Sequence, residues 1–289
     1  MKRFLPLSAL LFSLLLFSAG CKESNPTVAT NQTAKSPPAV SPTPNIEAAL
    51  AEIVKLDQEA VRKNPNDAAN YYNLANTHFT AAKYPEAIEQ YKQAIRLDIK
   101  REDFASRFEI GQSYLRLKRY DEAIAAFNES LQINPKNANV YHEMGNAYVQ
   151  QERPKDALAA YQKAVGLKPD HTEAHFALGN LYSKLDQTPE AIKAFQQATR
   201  HNPKDSDAFF NLGNSYSRLK QYGEAVKAYE ASVNLQPGNA EGHLRLAVLY
   251  LELGKHEAAT AEYNTLKELN PQLAGLLTEK MSQKGKGEK

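Results

Sequence analysis

The chain has 289 residues, with 35 Lys and Arg against 33 Asp and Glu, a formal net charge of +2 and a single cysteine. A balance this even, with no run of five or more basic residues, carries no electrostatic footprint for nucleic acid, and none is expected as a partner. One cysteine excludes an intrachain disulfide framework, so packing alone must hold the fold.

Lys2 and Arg3 precede a mostly apolar run, Phe4–Gly20, which ends in the small residues Ser18, Ala19 and Gly20 just before Cys21. A basic start, an apolar stretch and a small-residue end make an export signal; the run is short for a bilayer span and contains Pro6. Small-small-Cys at the end of such a run resembles the lipobox of bacterial lipoproteins, with Ser18 where that family usually has a branched apolar residue. The resemblance implies that residues 1–20 are a lipoprotein signal peptide and that the Cys21 thiol carries the lipid. It places the chain in the bacterial cell envelope as a lipid-anchored protein. Lys22 stands where an Asp marks inner-membrane retention in some bacteria, which favours the outer-membrane or periplasmic side. Two or more acyl chains anchor stably, whereas one binds only marginally.

Residues 21–44 are rich in Pro, Ser and Thr and hold no aromatic residue. They cannot bury enough apolar surface to offset the entropy of ordering, which predicts a disordered tether. Asn45 is placed to cap a helix over Ile46–Lys63, and Pro65 follows it; residues 45–67 read as the second half of a repeat.

From residue 68 the chain repeats itself. The segment "NLANTHFTAAKYPEAIEQYKQAI" from Asn73 matches "NLGNSYSRLKQYGEAVKAYEASV" from Asn211. A small residue after an apolar one recurs at Ala75, Gly111, Gly145, Gly179, Gly213 and Ala247, first 36 residues apart and then 34. Counting the small residue as position 8 of each repeat, position 20 is Ala87, Ala123, Ala157, Ala191, Ala225 and Ala259. Position 24 is Tyr91, Phe127, Tyr161, Phe195, Tyr229 and Tyr263. Position 32 is proline in every repeat but the first, which has Ile99. Positions 4, 7, 8 and 11 fall on one stripe of a first helix, and 20, 24, 27 and 28 on one stripe of a second. Small residues at 8 and 20 let the two backbones approach, the ring at 24 fills the space toward the neighbouring repeat, and the proline ends the second helix.

Period 34 with this pattern resembles the tetratricopeptide repeat family. The expected fold is all-α: a right-handed α-solenoid of about six tetratricopeptide repeats over 68–271, with terminal capping helices. The last lies in residues 272–289, a closing helix followed by a polar tail.

The search for chemistry is mostly negative. His171 and His175 are four apart, a spacing that can bind zinc on a helix, but the repeat frame puts His171 in a turn and His175 at packing position 4. No phosphate-binding glycine loop and no nucleophile in a turn of its own is present. Neither catalysis, nor a metal, nor a cofactor is expected.

In the resembling family the first helices line a groove, with positions 2, 5, 6, 9, 12 and 13 directed into it. That resemblance implies a peptide-binding surface here. Position 5 supplies Tyr72, Phe108, His142, Phe176 and Phe210; position 9 supplies Asn76, Gln112, Asn146, Asn180 and Asn214; position 13 adds Arg116, Lys184 and Arg218. A row of amides can pair with the backbone of an extended peptide, and rings beside them can take its side chains. The subset of the family that holds chaperone C-termini uses Lys at position 5, which never carries Lys here. The expected role is a scaffold that binds protein or peptide segments while tethered to a membrane through Cys21. Two alternatives are an envelope-assembly factor of the pilus or secretin pilotin type and a regulatory subunit of a separate envelope enzyme.

Overall fold

Short helices of 13 or 14 residues alternate along the chain in the computed structural model, which describes residues 44–98, 103–275 and 277–278. The signal segment, Cys21, the tether up to residue 43, Ile99 and the tail from residue 279 lie outside the described residues. The helices fall into two units, residues 1–135 and 136–289.

In the first unit, α1 (Pro44–Lys63) precedes two helix pairs, α2 (Ala68–Thr80) with α3 (Tyr84–Leu97) and α4 (Phe104–Arg116) with α5 (Tyr120–Ile133). Helix α1 begins two residues earlier than the sequence predicts. Pro44 fits the first turn of a helix, where its missing N–H leaves no bond unmade. In the second unit, four pairs follow: α6 (Ala138–Gln150) with α7 (Pro154–Leu167), α8 (Thr172–Lys184) with α9 (Thr188–His201), α10 (Ser206–Arg218) with α11 (Tyr222–Leu235), and α12 (Ala240–Glu252) with α13 (His256–Leu269). Within each unit, every helix packs on the one before and the one after it, which is the stacking of a solenoid.

The helix ends follow one rule per type. First helices are mostly capped by a side chain: Asp67, Asp103, Asn137, Asp205 and Asn239 each accept a hydrogen bond from a backbone N–H of the first turn. Second helices have no side-chain cap. They grow out of a closed turn in which the residue at position 16 donates its N–H to the carbonyl at position 11, from Lys83 to His78 at 2.9 Å through Lys255 to Tyr250 at 2.8 Å. That six-residue closure requires a left-handed residue just before it. Position 15 supplies it in every repeat: Ala82, Lys118, Glu152, Asp186 and Lys220 at φ between 56° and 59°, and Gly254 at 70°. Five of the six therefore hold a side chain in a conformation that suits glycine. Ala82→Gly is expected to raise stability by about 0.5–1 kcal/mol, because relief of the left-handed backbone outweighs glycine's extra entropy in the unfolded chain. Gly254→Ala is expected to lower it by about the same amount. Urea midpoints at constant m-value measure both, and a lower midpoint for Ala82→Gly would refute the strain.

The core repeats with the sequence. All six alanines at position 20 are fully buried, as are the rings at position 24 through the fifth repeat, with Tyr161 at 3% exposure the least enclosed of these. Each such ring lies on the small residue of its own first helix. A Cβ built on Gly145 would come within 2.4 Å of the Tyr161 ring, and one on Gly179 within 2.5 Å of the Phe195 ring. The ring also clusters with position 7 of the following repeat, Tyr161 with Leu178 and Phe195 with Leu212. It thus joins both helices of one repeat to the next repeat, which is more than the filling between neighbours that the sequence suggests.

Side chains reinforce the joins in the second unit. Gln162 donates to the Tyr182 hydroxyl at 3.0 Å and Gln196 to the Tyr216 hydroxyl at 2.7 Å, while the Tyr250 hydroxyl donates to the Glu230 carboxylate. At the C-terminal end, Asn270 ends α13 and starts a new turn, accepting from Gln272 and Leu273. Residues 271–275 and 277–278 are helical, and Ala274 and Leu277 bury themselves beside Leu246 and Leu266. The end of the array is closed in this way, as repeat stacking demands.

Candidate functional site

The first helices of the second unit carry a cleft of about 380 Å³ between α6 and α8. Its floor is apolar, made by Val149, Phe176, Ala177 and Leu181. Its polar lining is His142, Asn146, Tyr161, Glu173, Asn180 and Lys184. Five residues singled out from the sequence meet here: His142 and Asn146 from α6, and Phe176, Asn180 and Lys184 from α8. Period 3.6 explains the α8 set, since 176, 180 and 184 are one turn apart on one face.

The position 5 rings are half-buried because each packs on the position 24 ring of its own repeat. The centroid separations are 5.6 Å for Tyr72–Tyr91, 5.7 Å for Phe108–Phe127, 5.8 Å for His142–Tyr161, 5.8 Å for Phe176–Phe195 and 5.6 Å for Phe210–Tyr229. Aromatic pairs at this distance hold each other in fixed orientations. These rings are thus both core and surface, one edge packed and the other facing outward.

The amides at position 9 are not equivalent. The hydroxyl of Tyr91 donates to the Asn76 amide oxygen at 2.6 Å, that of Tyr161 to Asn146 at 2.7 Å and that of Tyr229 to Asn214 at 2.6 Å. Burial pushes the Tyr229 hydroxyl up to about 12, and raises those of Tyr91 and Tyr161 as well, so all three remain protonated donors. Asn146 is used at both ends, because its NH₂ also donates to Glu143 at 3.0 Å. Gln112 and Asn180 sit above Phe127 and Phe195, which have no hydroxyl, and neither amide has a hydrogen-bond partner among the described residues. Asn180 is exposed in the cleft.

The basic residues divide in the same way. Arg218 is spanned across to the turn of the preceding repeat, donating to Asp186 and to the Ser183 carbonyl at 3.3 Å. Arg116 and Lys184 are exposed and make no ion pair among the described residues. Phe210, Asn214 and Arg218 lie one repeat beyond the cleft and do not line it. Tyr72, Asn76, Phe108, Gln112 and Arg116 belong to the first unit.

His171 and His175 are engaged in local contacts. His171 caps the N-terminus of α8 without a side-chain cap bond; it is buried, with Nδ1 3.1 Å from Glu173 Oε2 and its ring 5.2 Å from that of His142. Burial, then the nearby His142, lowers its pKa, so the neutral form is favoured there. His175 bonds the Pro169 carbonyl through Nε2 at 2.9 Å and stacks on His201. Their four-residue spacing thus serves the turn and the helix face rather than one shared ligand.

Two features of the site were not singled out from the sequence. Glu173 adds a carboxylate to the cleft wall from position 2, a position the family resemblance directs into the groove, although the residue itself was not named. The alternation of Tyr and Phe at position 24 decides which amides are occupied; the alternation is visible in the sequence, but its consequence depends on a bond between positions 15 residues apart.

Comparison with known proteins agrees with this architecture. Models of the tetratricopeptide repeat match residues 72–138, 148–212 and 210–274, more than half of the chain. A stretch of 88 residues is 34% identical to the Hsp70-Hsp90 organising protein of Plasmodium falciparum (isolate 3D7), and one of 86 residues is 34% identical to Hsp70-Hsp90 organizing protein 3 of Arabidopsis thaliana. These stretches are 28% and 30% of this chain and 15% of each relative. Among solved structures, YrrB, described as a TPR protein with an unusual peptide-binding site, is 27% identical with a TM-score of 0.51, over 70% of this chain and 99% of its own. MamA is 26% identical with a TM-score of 0.52, over 57% and 97%. Pseudomonas aeruginosa PilF has a TM-score of 0.61 at 16% identity, over 74% and 97%, a likeness of fold. Helix pairing, repeat period and family match coincide: this chain belongs to the tetratricopeptide repeat family.

Proposed function

We propose that the chain is a non-catalytic scaffold that binds an extended protein segment in the α6–α8 cleft, while Cys21 tethers it to the bacterial cell envelope. One observation carries the binding reading: an unpaired amide and an unpaired ammonium, Asn180 and Lys184, stand at the rim of an apolar floor. An apolar side chain of the segment fits the floor. The amide offers donors and an acceptor to its backbone, and Lys184 favours an acidic group beside it. The similarity to repeat proteins described as peptide-binding or chaperone-organising supports the ligand class. Aromatic residues and a histidine at position 5, in place of Lys, separate this cleft from a site built for chaperone C-termini.

The test starts from peptides selected from a random display library on the purified chain. A selected peptide is expected to lose at least about tenfold in affinity when the floor is charged by Ala177→Glu, with far-UV circular dichroism unchanged. Failure to select any peptide, or equal affinity for Ala177→Glu, would remove the reading. The tether rests on the small-small-Cys sequence at residues 19–21. In detergent phase separation of cells expressing the chain, Cys21→Ala is expected to move it from the detergent to the aqueous phase. Retention in detergent at wild-type level would exclude the lipid anchor.

A further inference from the structure

The residue at position 24, deep in the core, decides whether the amide oxygen at position 9 on the surface is already engaged. In three of the four repeats with a tyrosine, its hydroxyl holds the amide oxygen, at Asn76, Asn146 and Asn214; the fourth, with Tyr263, has Val248 at position 9 and no amide. In two repeats the ring is phenylalanine, and the amides above it, Gln112 and Asn180, have no hydrogen-bond partner among the described residues. The rings themselves are placed alike. Built Cβ atoms on Gly145 and Gly179 come within 2.4 and 2.5 Å of the corresponding atoms of Tyr161 and Phe195. What differs is one oxygen.

We infer that position 24 is a selector for peptide-backbone recognition, and that in the second unit Asn180 is the amide that reads the backbone of a bound segment with both its oxygen and its NH₂, while Asn146, held at both ends, is withheld from it and Asn214, outside the cleft, keeps only its NH₂. This rests on the reading of the α6–α8 cleft as a peptide site and makes it specific. A ligand that turned the Asn146 amide toward itself would have to break its bonds to both Tyr161 and Glu143, a loss that a single backbone contact does not repay. At Asn180 a ligand replaces only water. The first unit follows the same rule with Gln112 above Phe127, so each unit presents one position 9 amide with its oxygen unengaged among its described residues.

The selector predicts opposite results for residues that look identical in the repeat. With a peptide selected on the wild-type chain, Asn180→Ala is expected to weaken binding about tenfold, and Asn146→Ala and Asn214→Ala to stay within about twofold under conditions where all three are folded. Phe195→Tyr is the sharper variant. It keeps the ring and adds the oxygen that, in the neighbouring repeats, captures the amide; it is expected to weaken binding about as much as Asn180→Ala while melting no lower than wild type. The pair Phe195→Tyr and Asn180→Ala should then be non-additive, since both close the same group. If Asn146→Ala or Asn214→Ala weakened binding as much as Asn180→Ala, the selector would be wrong. If Asn180→Ala bound normally while Ala177→Glu still abolished binding, the selector would fall and the cleft would stand. If Ala177→Glu bound normally, both would fall. Should Phe195→Tyr fail to fold, the three alanine variants alone decide between these outcomes.

Discussion

Phe195→Ala is expected to cost about 3–5 kcal/mol, the upper range for a truncated core aromatic. The ring is 1% exposed and clusters with Ala191, Ile192, Leu212 and Ala228, with the Phe176 ring in an edge-type contact 5.8 Å away. Two features keep the cavity from collapsing. Gly179 lies directly under the ring and has no side chain to swing into the void. Ala191 and Ala228 beside it have no side chain to extend, which leaves only Ile192 and Leu212 of its cluster's buried residues to relax. The loss also spreads beyond one repeat, because Phe195 joins α8 and α9 to Leu212 of α10, and a stacked array takes its stability from such nearest-neighbour joins. Urea denaturation followed by circular dichroism measures the effect. Phe195→Leu, which keeps part of the volume, should fall between the two. A loss below about 1 kcal/mol for the alanine variant would show that the ring does not carry the join.

The helix pairs were legible in the sequence because their determinants recur at fixed positions. A glycine under a ring and an alanine across from it leave few other ways to pack, and six copies average out local exceptions. The turns were less legible. Position 15 is Ala, Lys, Glu, Asp and Lys in the first five repeats, and only Asp186 is of a type that visits the left-handed region readily; in the others the closed turn imposes that conformation. His171 read as a turn residue, and it is one, but the fold buries it against His142 and Glu173, contacts that depend on where α8 packs rather than on its own neighbours. Arg218 read as a free cation for a ligand. Its partner, Asp186, is 32 residues away in the turn of the preceding repeat, and counting positions within a repeat cannot show a bond between repeats. The candidate site residues were named by position, but their state depends on pairings such as 9 with 24 that only the folded geometry reveals.

Gly145→Val is expected to be the most damaging change at a position where a repeat could seem tolerant, at about 3 kcal/mol. Two repeats carry alanine at position 8, Ala75 and Ala247, so a methyl group can be accommodated there. At Gly145 the ring beneath is pinned twice. Tyr161 is 3% exposed, and its hydroxyl is bonded to Asn146, so the ring cannot turn aside without breaking that part-buried hydrogen bond. A Cβ already overlaps the ring at 2.4 Å, and the branched methyls of valine extend the overlap toward α7. A double-mutant cycle separates this clash from valine's effect on the helix. Tyr161→Leu removes most of the ring, so Gly145→Val should cost at least about 1 kcal/mol less in that background than in the wild type. Additivity within about 0.5 kcal/mol would mean that the glycine is kept for some reason other than the ring above it. The same cycle at Gly179 with Phe195, where no hydroxyl pins the ring, should show a smaller coupling, because that ring has only packing to resist its displacement.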